Sequence, residues 1–196
     1  MGSFRRSVPE APMNLVFRLL RVLIWGLAGP RIDPLGRSIL SFRVWPNDLD
    51  INIHMNNGRY LTIMDLGRLD LILRSGFGRI MLKRRWSAVL GSVTIRYRRA
   101  LTPFQRYDLV TRILGWDEKW VFIEQQFVVD GQACAIGYAK AIIIAGDRAL
   151  PMTEMLAAIG YAFPSPPLPD GIRSWLDAER DLSTAPHAPA ERPTIH

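Results

Sequence analysis

The stretch from Asn57 to Ser75 contains no proline and is crowded with leucine, isoleucine and methionine. Tyr60, Met64, Gly67 and Leu71 share one face at helical spacing, and Leu61, Leu69, Ile72 and Leu73 widen it. Gly76 follows, the residue type that most readily takes the left-handed turn closing a helix. A helix this apolar is too hydrophobic for a surface position, so a sheet must wrap it. The rest of the middle supplies that sheet. Ile39 to Trp45 reads as a strand stopped by Pro46, and in Ala88 to Arg99 the residues Val93, Ile95 and Tyr97 alternate with Thr94, Arg96 and Arg98. After a turn at Thr102 to Gln105 come strands over Tyr107–Trp116, Trp120–Val129 and Gln132–Ile144, the last two joined by the hairpin signal Asp130-Gly131. One strand, a long buried helix and four antiparallel strands make an α+β domain with the helix in the grip of a single sheet.

The ends differ from this middle, which is assigned residues 38–160 of a 196-residue chain. Residues 1–37 carry the apolar run Met13–Gly29, where Asn14, Arg18, Arg21 and Trp25 form one helical stripe, flanked by Arg5, Arg6, Arg31 and Arg37. The run is shorter than the ~20 apolar residues a bilayer span requires and holds two arginines. Two readings stand side by side. The helix packs on the domain or an oligomeric partner, or it lies in the membrane interface with Trp25 and the arginines at headgroup level. A signal peptide is disfavoured by Arg18, Arg21 and the Gly-Pro ending. Residues 161–196 are proline-rich, and a largely extended tail is expected there, with a short helix near Ile172–Leu182. A cytoplasmic protein with peripheral membrane contact through residues 13–29 fits these features.

Between the first strand and the helix lies Asn47-Asp48-Leu49-Asp50-Ile51-Asn52-Ile53-His54-Met55-Asn56-Asn57-Gly58-Arg59-Tyr60. Carboxylates, a histidine and asparagines are concentrated just before a helix N-terminus, where free N–H groups and the helix dipole favour a developing oxyanion. A carboxylate there can act on a bound acyl group as base or nucleophile. Singly, each residue has a plainer role: Asn47 and Asp48 make the turn after Pro46, Asn56 or Asn57 caps the helix, and His54 is a hydrogen-bonded loop residue. Their clustering argues for chemistry.

The string DLDINIHMNNGRY resembles the signature of hot-dog-fold acyl thioesterases. It is similar to bacterial acyl-CoA thioesterases of the 4-hydroxybenzoyl-CoA type and to plant acyl-ACP thioesterases. It looks nearest to thioesterase-like proteins whose animal members carry an N-terminal hydrophobic segment. The likeness covers about Ile39 to Met152 and implies a single hot-dog fold acting on acyl-CoA or acyl carrier protein thioesters. It also implies a homodimer with the site between two protomers, and no metal or cofactor. By position, it implies Asp50 as the catalytic carboxylate, accompanied by Asn52 and His54. The Asn57 amide would face the thioester carbonyl beside Gly58, and Asp65 and Arg68 match an acidic residue and an arginine of related bacterial helices. The plant enzymes' extra glutamate is replaced by Arg96, so a mechanism needing it does not transfer. A non-catalytic acyl-ligand-binding or membrane-associated scaffold of the same fold is the competing expectation.

The net charge of +7 suits a phosphate-bearing or otherwise anionic partner. Arg96, Arg98 and Arg99 form either a solvated face or a cradle for coenzyme A phosphates or an acidic carrier protein. Nucleic acid is disfavoured, because Tyr97 and Phe104 are better explained as core and turn residues. A lone cysteine, Cys134, and three histidines exclude an internal disulfide and multi-cysteine or histidine-rich metal sites. No Gly-x-Ser-x-Gly elbow, phosphate loop or dinucleotide fingerprint occurs.

Overall fold

A computed structural model describes residues 15–184. The elements run α1 (Leu15–Ala28), β1 (Arg37–Arg43), α2 (Asn57–Arg74), α3 (Phe77–Arg84), β2 (Trp86–Tyr97), β3 (Arg106–Trp116), β4 (Val121–Val129), β5 (Gln132–Ala145), β6 (Arg148–Leu150), α4 (Met152–Ala158) and α5 (Asp170–Thr184). The sheet is antiparallel in the order β1-β3-β4-β5-β2, and β6 pairs with the last residues of β5. This is the α+β arrangement expected, a single sheet curled around α2. The β4–β5 turn has positive φ at both Asp130 and Gly131, the geometry that a two-residue hairpin between twisted strands demands. Positive φ at Gly76 (91°) ends α2 where the sequence places its stop.

The apolar face of α2 meets the sheet as its spacing requires: Tyr60, Ile63, Met64, Gly67 and Leu71 are buried. An added Cβ at Gly67 would stand 2.4 Å from Thr111 Oγ1, so the helix backbone lies directly on β3. The opposite flank is closed by α1, whose Gly26 admits Leu73 of α2 into close contact. α3, β6 and α4 are short elements that periodicity did not reveal.

The packed unit extends beyond residues 38–160. Val22 of α1 belongs to the main core cluster, and Ile172 of α5 is fully buried against Leu114 and Phe122 on the outer side of the sheet. Within the described residues the tail is less extended than expected, while the short helix expected near Ile172–Leu182 is present and longer, as α5. After an irregular stretch over 161–169, α5 forms and is tied to β5 by the Lys140–Glu179 ion pair. A second correction concerns α1. Its arginine-bearing stripe faces the protein: Arg18 is buried and Trp25 half-buried, so neither stands at headgroup level. Asn14 of that stripe lies outside the described residues. No helix among the described residues is long and apolar enough to cross a membrane.

Candidate functional site

The polar segment before α2 folds into a small hairpin. Leu49 bridges Met55, Asp50 N–H donates to His54 C=O (2.9 Å), and Ile53 N–H donates to Asp50 C=O (3.1 Å). To close it, Ile53 takes φ = 57°, a left-handed conformation costly for a β-branched residue. Asp50 Oδ1 accepts from Asn52 N–H (2.8 Å) and His54 N–H (3.4 Å), which holds the carboxylate over the turn. Asn52 and His54 are exposed on the tip, with Ile51 and Ile53 beside them.

Asn56, and not Asn57, caps α2: its side chain accepts from Gly58 N–H (2.9 Å) and its carbonyl from Arg59 N–H (2.9 Å). Those bonds do not use the Asn57 N–H. A Cβ added at Gly58 would meet only Asn56 Oδ1, so the first turn is open to a close approach.

Asp48 does more than shape the turn after Pro46. Fully buried, it accepts Trp45 N–H and pairs with two guanidinium groups: Arg18 of α1 (2.5 and 2.9 Å) and Arg59 of α2 (3.1 Å). Its carbonyl accepts Asn56 N–H at the helix cap. One buried carboxylate thus joins α1, the hairpin's root and the start of α2. Burial on this scale without paired cations would cost several kcal/mol, roughly, which explains why two arginines converge.

Asp65 and Arg68 lie elsewhere, two turns and more along α2. They form an ion pair, and Arg68 also donates to Gln125 Oε1 (2.6 Å). Burial lowers the Arg68 pKa from its ordinary value, opposed by the Asp65 charge. Gln125 is itself buried and donates to Met64 C=O and Thr111 Oγ1, so the Arg68 head rests on a fixed amide. Both residues edge a cavity of about 240 Å³ whose walls are otherwise apolar, with Leu69, Ile72, Met81 and Met155 among them. Asp50 is not among its lining residues, so within one protomer the hairpin carboxylate and the cavity are distinct places.

Arg96, Arg98 and Arg99 are exposed at the end of β2. Spacing alone did not reveal how that end meets the helix: Tyr97 Oη donates to Asn57 C=O (3.2 Å) while its ring stacks edge-on with buried Tyr60. The Tyr60 hydroxyl is pushed up to about 12 by burial. The basic strand end and the hairpin therefore share one end of the molecule. Tyr97 and Arg59 were not singled out as site residues from the sequence. Their signal was positional only: Tyr97 sits among the arginines of β2, and Arg59 closes the polar string. Among the described residues, no three His, Cys, Asp or Glu side chains converge as a metal ion requires.

Comparison with known proteins adds four findings. The family model of the thioesterase-like superfamily matches residues 44–176. Protein THEM6 of Drosophila melanogaster is 34% identical over 134 residues, covering 67% of this chain and 67% of its own length. The thioesterase poxG of Penicillium oxalicum is 30% identical over 155 residues, and there the match spans 66% of this chain and only 51% of the fungal protein. Among solved structures, a gentisyl-coenzyme A thioesterase superposes with a TM-score of 0.55 at 18% identity, covering 61% of this chain and 99% of its own. That likeness shows the fold, a hot dog.

Proposed function

This chain belongs to the thioesterase-like superfamily, and we propose that it hydrolyses an acyl thioester of coenzyme A or of acyl carrier protein to the free acid and the thiol. The observation that carries the reading is the Asp50 carboxylate, held by its own turn just ahead of a helix N-terminus whose Asn57 N–H is spared by the cap. The thioester carbonyl oxygen sits at that N–H, where the helix dipole stabilises negative charge. In one route Asp50 takes a proton from water as the water oxygen adds to the carbonyl carbon; the C–S bond then breaks, and the thiolate receives that proton. In the other, an Asp50 oxygen adds directly, the thiolate leaves, and water cleaves the resulting anhydride. Label found in Asp50 after a single turnover in heavy-oxygen water marks the second route, since water attacking the aspartyl carbon of the anhydride leaves its oxygen there and the first route never does. Asn52 and His54 orient the water or the carboxylate, Gly58 lets the acyl group approach, and Arg96, Arg98 and Arg99 meet the carrier's phosphates. The reading calls on no metal or cofactor.

The acyl tail occupies the cavity beside Asp65 and Arg68, contributed by a second protomer. Asp65 lies eight residues beyond Asn57, about 12 Å along the axis, and Asp50 does not line the cavity of its own chain. The twelve-residue β2 is one of the two edges of the sheet, β1 being the other, and it exposes Val89 and Leu90, a surface suited to strand pairing in a two-fold homodimer.

The test is thioester cleavage across acyl chain lengths with Asp50→Asn beside the parent. Loss of a general base costs about 10²–10⁴ in kcat, with KM changed little. Equal rates in parent and variant, with circular dichroism unchanged, reject Asp50. Acyl-CoA binding without turnover in the parent assigns the chain to the scaffold class instead.

A further inference from the structure

α1 is turned the opposite way to a surface helix of a water-soluble domain. Its inward arc holds both arginines: Arg18 on Asp48, and Arg21 donating to Ser41 C=O (2.7 Å). Val22, Trp25 and Gly26 complete that arc. The outward arc is apolar throughout. Val16, Phe17, Leu19, Leu20, Ile24, Leu27 and Ala28 are all exposed, Ile24 by 67% and Leu27 by 75%. This stripe runs the whole helix, about 21 Å, and exceeds the scattered exposed leucines that any surface carries.

We propose that this outer face of α1 rests in the interfacial layer of an anionic lipid bilayer, with the helix lying in the membrane plane and the domain held beneath it by the Arg18–Asp48 pair. The charge pattern selects that occupant. No acidic residue occurs from position 11 to 32, Arg5 and Arg6 precede the helix, and Arg31 and Arg37 follow it. Anionic headgroups complement such a rim, whereas two copies meeting through it would bring like charges together. In sequence, residues 1–14 and 185–196 hold five prolines and no run of apolar residues. Because the arginines point inward, α1 is attached to the domain by charge and to the bilayer by its apolar side. The proposal is independent of thioester chemistry.

The full chain is floated with vesicles of phosphatidylcholine and phosphatidylglycerol, beside Leu20→Glu/Ile24→Glu. Both positions are exposed, so the fold survives, which thermal melting verifies. The parent floats, more weakly with zwitterionic vesicles or in high salt, and the double variant loses at least tenfold in binding. If the short-chain acyl-CoA rate is measurable, it is the same in both proteins. Flotation of the double variant equal to the parent's overturns the proposal. So does a parent that does not float; if sedimentation then shows that the double variant has lost an oligomer, the stripe is a contact between copies.

Discussion

Gly67 marks the point where the sheet comes nearest to the central helix. Thr111 Oγ1, Leu109 and Gln125 Nε2 would lie 2.4, 2.6 and 2.8 Å from an added Cβ, and two of them belong to the hydrogen-bonded layer that supports Arg68. A methyl group there must push the helix off β3 or break that layer. Gly67→Ala should therefore cost about 1–3 kcal/mol, a sum typical of overpacked cores, and lower the melting temperature by several degrees in a calorimetric scan. At Asp48 the loss has another origin. Arg18→Met retains most of the side-chain volume yet leaves a buried carboxylate with Arg59 alone. A cost of about 3 kcal/mol in urea unfolding is expected, and Asp48→Asn with Arg18→Met should cost less than the two single changes summed. Additive losses would show that the pair is not coupled.

The α2 helix also carries the buried charge that should govern the pH dependence of stability. Asp70 is fully buried; its Oδ2 accepts from Ser38 Oγ (2.5 Å) and Arg74 Nη1 (3.2 Å), while Oδ1 is without a hydrogen-bond partner. Burial raises its pKa above the ordinary 3.8, although Ser38 and Arg74 pull the other way. Between the ordinary value and the raised one, the folded chain holds a proton that the unfolded chain has released. Stability should then fall as pH rises through that window and stay lower above it. Asp70→Asn removes this fall, so melting curves from pH 3 upward should show parent and variant diverging; parallel curves would contradict it. Arg74 further donates to Pro30 C=O and lies over Trp25, so the same pair fastens the connection between α1 and β1.

For the whole molecule, the proposed pairing of two chains draws on the exposed β2 edge and on the separation of Asp50 from the Asp65–Arg68 cavity. Val89→Lys places a charge on that edge at a position that does not itself line the cavity, between Ala88 and Leu90, which do. Sedimentation should show self-association weakened at least tenfold, with hydrolysis falling in parallel. A parent that is monomeric at micromolar concentration and fully active would dispose of the shared site.

The sequence by itself determined the elements whose physics is local. The proline-free apolar run had to be a buried helix, Gly76 had to end it, Asp130-Gly131 had to turn a hairpin, and alternation identified the strands that wrap the helix. The polar string before α2 was legible for the same reason, since cap and turn chemistry act within a few residues. Only the tertiary structure decided which way α1 faces. Its amphipathic stripe is symmetric in sequence terms, and the choice was made by Asp48, thirty residues away, which needs cations more than water needs the arginines. The role of Asp48 was hidden likewise, because pairing with Arg18 and Arg59 depends on three elements meeting. Tyr97 reached the helix cap, and Asp50 was separated from the cavity, through strand register and helix rise. Those are distances between elements, and periodicity within one element does not contain them.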